Sequence, residues 1–301
     1  MAVAGEMSFS RAAIRVNVVQ SALSTSVSKL EHELGVQLFD RRRHRINLTH
    51  AGEVLREQAG EILRAANLAK ESVLMSGGAI AGTVNIGVLA STGPLDYVKA
   101  VAEFAEENPD VRLRSHLYQT GSWAYLPALA AGTLDLALVS GPLRVDPKLE
   151  MNLLFEDPLV FVCRPGHPLA QRATVDIAEL AQERLVGFPQ EFGLRNVVNS
   201  AFQDVGLEAP SHYELMLSFP DIAELVRRGV ASCIMPVSEA LPMTDLVHIE
   251  LATPVLWKVY LASLPLEKVT RATARLAKII MTSPGTVQHR HEADEQDGRS
   301  A

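Results

Sequence analysis

Five short polar side chains, Gln20, Ser21, Ser24, Thr25 and Ser28, recur at helical spacing in the stretch VQSALSTSVSKLEHELG. At about 100° per residue they share one face of a helix. Amides and hydroxyls both donate and accept, so such a face can reach base edges in the DNA major groove. A cluster of cations follows: Arg41, Arg42, Arg43, His44 and Arg45, with Leu38 and Phe39 before it and Ile46 and Leu48 after it. Apolar arms around a cationic tip describe a β-wing whose arginines grip phosphates beside the groove. The competing reading is an amphipathic helical hairpin with a solvated charge cluster. An arginine-tipped hairpin directly after a polar-faced helix favours nucleic acid.

The elements that must hold these residues are legible nearby. Ser8 is an N-cap candidate, and Ala12, Ala13 and Val16 give a short helix with a small, closely packable face. Asn17 and Val18 fit a turn. A second helix is predicted over roughly Val19–Leu34, with an apolar stripe of Leu23, Val27, Leu30 and Leu34 opposite the polar face. Gly35 is its expected stop.

The stretch from Ser8 to Gly52 resembles the winged helix-turn-helix of the LysR-type transcriptional regulators. It carries SFxxAA and then QSALSxxVxxLExxLGVxLFxRxxxRxxLTxAG. The resemblance continues in order to about residue 283. It implies duplex DNA as partner, bound as two half-sites at a promoter, together with a small-molecule effector and self-association as a dimer or tetramer. RNA polymerase is a further expected contact. Two departures stand out. Val19 occupies the place where the family usually has a serine cap, and the family chain normally begins several residues earlier, so the head is expected to be N-terminally short.

The chain has 301 residues, 48% of them hydrophobic, enough for more than one core. Its net charge of −7 would oppose nucleic-acid binding if evenly spread. Residues 1–50 instead hold seven Lys or Arg against four acids, a balance of +3, which leaves −10 for the remainder. A basic head on an acidic body keeps non-specific DNA binding weak and lets the head dock. Cys163 and Cys233 lie far apart in apolar runs and read as buried structural thiols rather than a disulfide framework or metal site. No secretory leader and no membrane-length apolar run is present, so a cytoplasmic location is expected. No cofactor and no metal are expected. The His289 and His291 pair is the only metal-like spacing singled out.

The fold class expected is α/β multidomain: an N-terminal all-α winged helix-turn-helix, a long linker helix and a two-lobed α/β effector-binding domain. The DNA-binding domain covers residues 1–50. A linker helix at 51–76 carries Ala51, Leu55, Ala59, Ile62, Ala66, Ala69 and Val73 on one stripe, and the family uses this helix for dimerisation. The Gly-rich stretch 77–82 reads as a hinge. Strand–helix alternation fills 83–283, with strands at Val84–Leu89, Val111–Tyr118 and Leu134–Val139 and helices at Pro94–Glu107 and Ser122–Ala131 between them. Lobe I is assigned 83–163 and 264–283, and lobe II 166–263. In lobe II and beyond, the predicted strands are Leu185–Phe188, Ala231–Met235 and Leu256–Leu264. The predicted helices are Asp176–Gln182, Leu194–Val205, Asp221–Arg228 and Leu266–Thr282. Residues 284–301 read as a disordered tail.

Ligands of open α/β sheets lie beyond the carboxyl ends of strands, near helix starts. Those loops supply Ser91 and Thr92, Thr120 and Ser122, and Ser140; lobe II is expected to close over them with Phe188, Arg195 and Phe219. Hydroxyls beside helix N-termini suit a small organic acid. Each serine taken singly also fits ordinary helix capping. The alternative functional reading is a solute-binding protein of the type 2 periplasmic fold without a DNA role. An enzyme is disfavoured. Ser26–Val27–Ser28–Lys29 matches SxxK, but it lies on the proposed recognition helix with no companion motif.

Overall fold

The computed structural model describes residues 1–43, 45–74, 80–117, 121–141, 145–283 and 285; for residues 15, 41–43, 45, 57, 64, 67 and 70–74 the description is of the backbone alone. Three short helices open the chain: α1 (Ala2–Glu6), α2 (Phe9–Arg15) and α3 (Gln20–Leu34). Ser8 caps α2, its hydroxyl accepting from the Arg11 N–H, and Gly35 ends α3 in the left-handed region at φ 69°. Asn17 takes φ 56° in the turn between α2 and α3, a conformation asparagine tolerates better than most residues. An antiparallel hairpin of β1 (Phe39–Arg43) and β2 (Arg45–Leu48) follows. The small core beneath joins Val3, Ala4, Phe9, Ala12, Leu38 and Phe39, against which Leu23 and Val27 of α3 pack.

The four-residue stripe expected on α3 is therefore only half buried, since Leu30 and Leu34 are exposed. The buried position between them is Glu31. Its Oε1 accepts from the N–H groups of Leu38 (2.9 Å) and Phe39 (3.2 Å), tying the helix to the first arm of the wing. Residues Ala2–Glu6 fold as α1, with Val3 and Ala4 buried.

Thr49 starts α4 (His50–Leu74): its hydroxyl donates to the Gln37 carbonyl at 2.6 Å and accepts from the Gly52 N–H at 3.1 Å. A Cβ on Gly52 would overlap the Leu38 carbonyl, so the helix passes the wing only with glycine there. Val54, Ile62 and Leu63 of α4 are exposed.

The body alternates strands and helices: β3 (Gly82–Gly87), α5 (Tyr97–Glu107), β4 (Val111–His116), α6 (Tyr125–Ala130), β5 (Leu136–Ser140) and the long β6 (Glu150–Cys163). Then come β7 (Thr174–Val175), β8 (Leu185–Gly187), α7 (Gly193–Asp204), β9 (Tyr213–Glu214), α8 (Phe219–Arg227), β10 (Ser232–Pro236), α9 (Val237–Ala240), β11 (Val247–Leu251), β12 (Leu256–Ser263) and α10 (Arg271–Thr282). The sheet order is β4-β3-β5-β12-β6-β10-β8-β9, with β11 pairing with β6 and β7. Strands β4, β3 and β5 run parallel, as the alternation predicts; β12 is antiparallel to β5 and to β6.

One strand, β6, serves both lobes. Glu150–Pro158 pairs with β12, and Leu159–Cys163 pairs with β10 and β11. Pro158, which has no N–H to give a ladder, stands where the partner changes. Strand β12 hydrogen-bonds along β5 from Val259 to Ser263, so it lies in the sheet of lobe I rather than in lobe II as expected from chain order.

Several boundaries move for local reasons. Helix α5 begins at Tyr97 because the Asp96 carboxylate accepts from the Lys99 N–H. The segment before α6 is a 3₁₀ turn at Ser122–Ala124, and Ile177–Gln182 is 3₁₀ throughout. Ser218 caps α8 two residues earlier than expected, with Pro220 in the first turn. The last helix is interrupted: Leu266–Lys268 is a 3₁₀ turn, and Thr270 recaps α10 by accepting from the Thr273 N–H. Strands β7, β9 and β11 have no counterpart in the sequence reading.

Candidate nucleic-acid interface and ligand cleft

On α3, Gln20, Ser21, Thr25 and Ser28 are exposed and Ser24 is half-buried; Ser21, Thr25 and Ser28 face away from the core, and Gln20 and Ser24 stand at its edge. Val19 supplies no side-chain cap. Instead the Ser10 hydroxyl donates to the Gln20 side-chain carbonyl at 3.0 Å, fixing the amide at the head of the helix. The side chains of Arg41, Arg42, Arg43 and Arg45, and all of His44, lie outside the described residues; the backbone carries the four arginines on the β1–β2 hairpin. A helix with free donors and acceptors on its outer face, followed by an arginine-bearing hairpin, can enter a major groove and straddle the adjacent phosphates.

The second site is a narrow cavity between the lobes, with about 50 Å³ of water-accessible space and partly open to solvent. Ser91, Ser122, Ser140, Phe188 and Phe219 line it, together with Val88, Leu89, Leu117, Tyr125, Phe192, Gly193, Leu194 and Trp257. The structure thus brings together five of the eight residues expected there. Ser122 and Ser140 are linked, the Ser122 hydroxyl accepting from the Ser140 N–H and donating to the Ser140 carbonyl, both at 3.3 Å. The Ser91 hydroxyl donates to the Glu239 carboxylate, while the neighbouring Ser238 hydroxyl donates to the buried Asp157 carboxylate. The two lobes are thereby joined at the base of the cleft.

Three expected residues stand elsewhere. Thr92 closes a turn, its hydroxyl donating to the Leu95 carbonyl at 3.3 Å, and does not line the cavity. Thr120 lies outside the described residues. Arg195 is buried but faces away from the cleft, beside a smaller cavity with Leu185, Val198 and Ile234, where it reaches the Pro210 carbonyl at 3.4 Å and Glu214 at 3.9 Å. Burial lowers its pKa, with Glu214 partly opposing.

The residues missed by sequence reading are the walls. Tyr125 packs its ring on Gly87 and donates its hydroxyl to backbone carbonyls, 2.6 Å from Val88 and 2.9 Å from His116. Phe188 stacks on Phe192 (5.6 Å) and meets Phe219 edge-on (5.3 Å). Gly193 begins α7, whose N-terminus has no side-chain cap and opens onto the cavity. No Lys, Arg or His lines the cavity among the described residues. Among those residues no group of metal-ligating side chains is close enough to hold an ion, and no helix is long and apolar enough to cross a membrane. His289 and His291 lie outside the described residues.

A winged helix-turn-helix head joined to a two-lobed α/β body with a cleft is the architecture of a DNA-binding regulator with a ligand-binding body. Family comparison agrees over nearly the whole chain: residues 1–53 match the bacterial regulatory helix-turn-helix protein, lysR family, and residues 77–283 match the LysR substrate binding domain. The chain belongs to the LysR family of transcriptional regulators. It is 35% identical over 206 residues to the HTH-type transcriptional regulator ShiR of Corynebacterium glutamicum, covering 67% of this chain and 68% of that protein. It is 28% identical over 236 residues to a hydrogen peroxide-inducible genes activator of Dickeya chrysanthemi, covering 78% of this chain and 76% of that protein. A solved full-length OxyR variant from Pseudomonas aeruginosa shares the fold with a TM-score of 0.67 at 23% identity, covering 95% of this chain and 93% of that one. These relatives are regulators, not enzymes.

Proposed function

We propose that residues 1–50 read duplex DNA through Gln20, Ser21, Ser24, Thr25 and Ser28, with Arg41, Arg42, Arg43 and Arg45 on phosphates, and that a small organic acid in the inter-lobe cleft sets the arrangement of the heads. Residues 51–76 pair two chains, which the exposed Ile62 on the apolar stripe supports. A two-fold pair of heads then needs two half-sites on one face of a promoter. The protein works in the cytoplasm, and RNA polymerase is its downstream contact.

The observation that carries the effector reading is the meeting of neutral donors in one cavity: the Ser140 hydroxyl and the uncapped N-terminus of α7. Backbone N–H groups with the positive end of a helix favour a carboxylate. Ligand that binds both lobes favours their closed arrangement and shifts the population toward it.

A peroxide-sensing thiol, suggested by the names of some relatives, is less well supported. Cys163 and Cys233 are both buried, and burial pushes the Cys163 thiol up to about 11 and raises that of Cys233. Cys233 stands opposite Val162 in the β10–β6 ladder, so Cys163 points to the other face of the sheet and no disulfide can close without breaking the pairing.

The test is a gel shift with duplexes selected from a random pool, run across a salt series. Retention that falls steeply with salt and survives competitor supports the head reading. A calorimetric screen in which only cationic or neutral metabolites bind overturns the acid reading.

A further inference from the structure

The linker helix α4 is seated on the body of its own chain. Gly60 is buried, and a Cβ there would stand 2.4 Å from the Ala131 carbonyl oxygen and 2.7 Å from its carbon. Any side chain at position 60 would overlap that backbone. One residue further on, the Lys148 ammonium of lobe I donates to the Glu61 carboxylate at 3.4 Å. Both contacts leave the body from one place. Ala131 ends α6, and Leu149, next to Lys148, is buried in one small cluster with Tyr125, Leu126 and Leu129 of α6.

The opposite end of the same segment meets lobe II. A Cβ on Gly121 would overlap the Glu191 carbonyl, and Gly121, Ser122 and Tyr125 line the inter-lobe cavity. Ser122 is hydrogen-bonded in both directions to Ser140, on which Gly193 of lobe II rests. Residues 122–130 are helical, a 3₁₀ turn leading into α6, and span about 15 Å. A packed helix moves as a body, so a displacement at the cleft end is carried to the linker end.

Building on the cleft reading given above, we propose that the segment Gly121–Ala131 couples lobe closure to the linker helix of the same chain, with Gly60 as its seat. Closed lobes bear on Gly121 and hold Ala131 against Gly60. Parted lobes release it. The head, joined to the other end of α4, is then presented in two arrangements set by the cleft.

The experiment uses the full-length protein without effector. A carbodiimide joins Glu61 to Lys148 where the two are in contact, and peptide mass spectrometry reads the yield. Both side chains are exposed, and such a surface pair adds little stability, so it reports the contact without creating it. Wild type is expected to give the cross-link. Gly60→Leu, which blocks the seat, and Gly193→Ala and Gly121→Ala, which act at the lobe contact and alter neither partner, are each expected to lower the yield about fivefold. Gly60→Ala adds the same overlap to a helix that alanine otherwise favours, and it replaces Gly60→Leu if leucine lowers the melting temperature. Loss in the Gly60 variant with no change in either lobe variant makes the contact a fixed one and overturns the coupling, leaving the cleft reading standing. No change in any variant overturns the seat as well. A cross-link found only between chains, in dimers mixed from light and heavy isotopes, overturns coupling within one chain. The cleft reading fails separately, when wild type binds no acid in the calorimetric screen.

Discussion

Gly193 at the start of α7 rests directly on Ser140 at the end of β5: a Cβ on the glycine would overlap the serine Oγ and carbonyl oxygen. Gly121 makes the reciprocal approach, since a Cβ there would overlap the Glu191 carbonyl. The lobes therefore touch at two places where one side carries no side chain, and the gap between them depends on that.

Gly193→Ala is expected to prop the lobes apart. Alanine suits a helix better than glycine by about 1 kcal/mol, so α7 itself gains. Overpacking at the contact costs about 1–3 kcal/mol, and it falls on the closed arrangement alone. The expected result is a larger radius of gyration by small-angle scattering and at least tenfold weaker effector binding, with a melting temperature close to wild type.

Glu31→Ala is expected to loosen the wing. The substitution strands two buried N–H donors, those of Leu38 and Phe39, which the carboxylate now satisfies. Unpaired buried donors cost about 1–3 kcal/mol each. Glu31→Gln keeps an acceptor and should retain most of that stability. Thermal melting of the two variants, with DNA affinity as a second readout, separates lost hydrogen bonds from lost charge.

What could be read from the sequence was what is decided within a few residues. Ser8, Gly35 and Thr49 mark element ends through their own side chains or backbone, and all three act there. The order of strands and helices to Ser140 was equally plain, because β5 is buried on both faces and reads as a continuous apolar run, while β3 and β4 alternate apolar with polar residues. Partners distant in sequence were not legible. Nothing in SKLEHEL separates the buried Glu31 from the exposed Glu33, since only the approach of Leu38 and Phe39 makes one of them necessary. Arg195 looked available because it opens α7, yet its direction follows from Pro210 and Glu214. Trp257 sits in an ordinary strand pattern, and it becomes a site residue only when β12 is laid against β6 beside Phe155.

Cys163 and Cys233 are expected to be inert in the native protein. Alkylation proceeds through the thiolate, and with a pKa of about 11 only about one Cys163 in a thousand is ionised at pH 8. Because the pKa is raised, the thiolate fraction grows as pH climbs toward that value. Iodoacetamide followed by intact-mass measurement should add nothing at pH 8 to the folded chain and two carbamidomethyl groups once it is unfolded in urea. Rapid labelling of the folded chain would reopen the thiol-sensing reading.

Two kinds of head variant should fail in different ways. Arg41→Ala or Arg45→Ala removes a proposed phosphate contact, which would carry no base information. Affinity should fall for every duplex alike, and the slope of log K against log salt should flatten by about 1. Gln20→Ala removes the amide held by Ser10, which is proposed to read a base. Discrimination should relax at one base position in each half-site, by about 1–3 kcal/mol, while the salt slope stays as in wild type. The comparison is made by measuring binding to a set of single-base variants of the selected duplex at two salt concentrations. If Gln20→Ala leaves the base preference intact, α3 does not enter the groove with its first turn leading. The wing would then have to carry the sequence reading, which a row of phosphate-binding arginines is poorly suited to do.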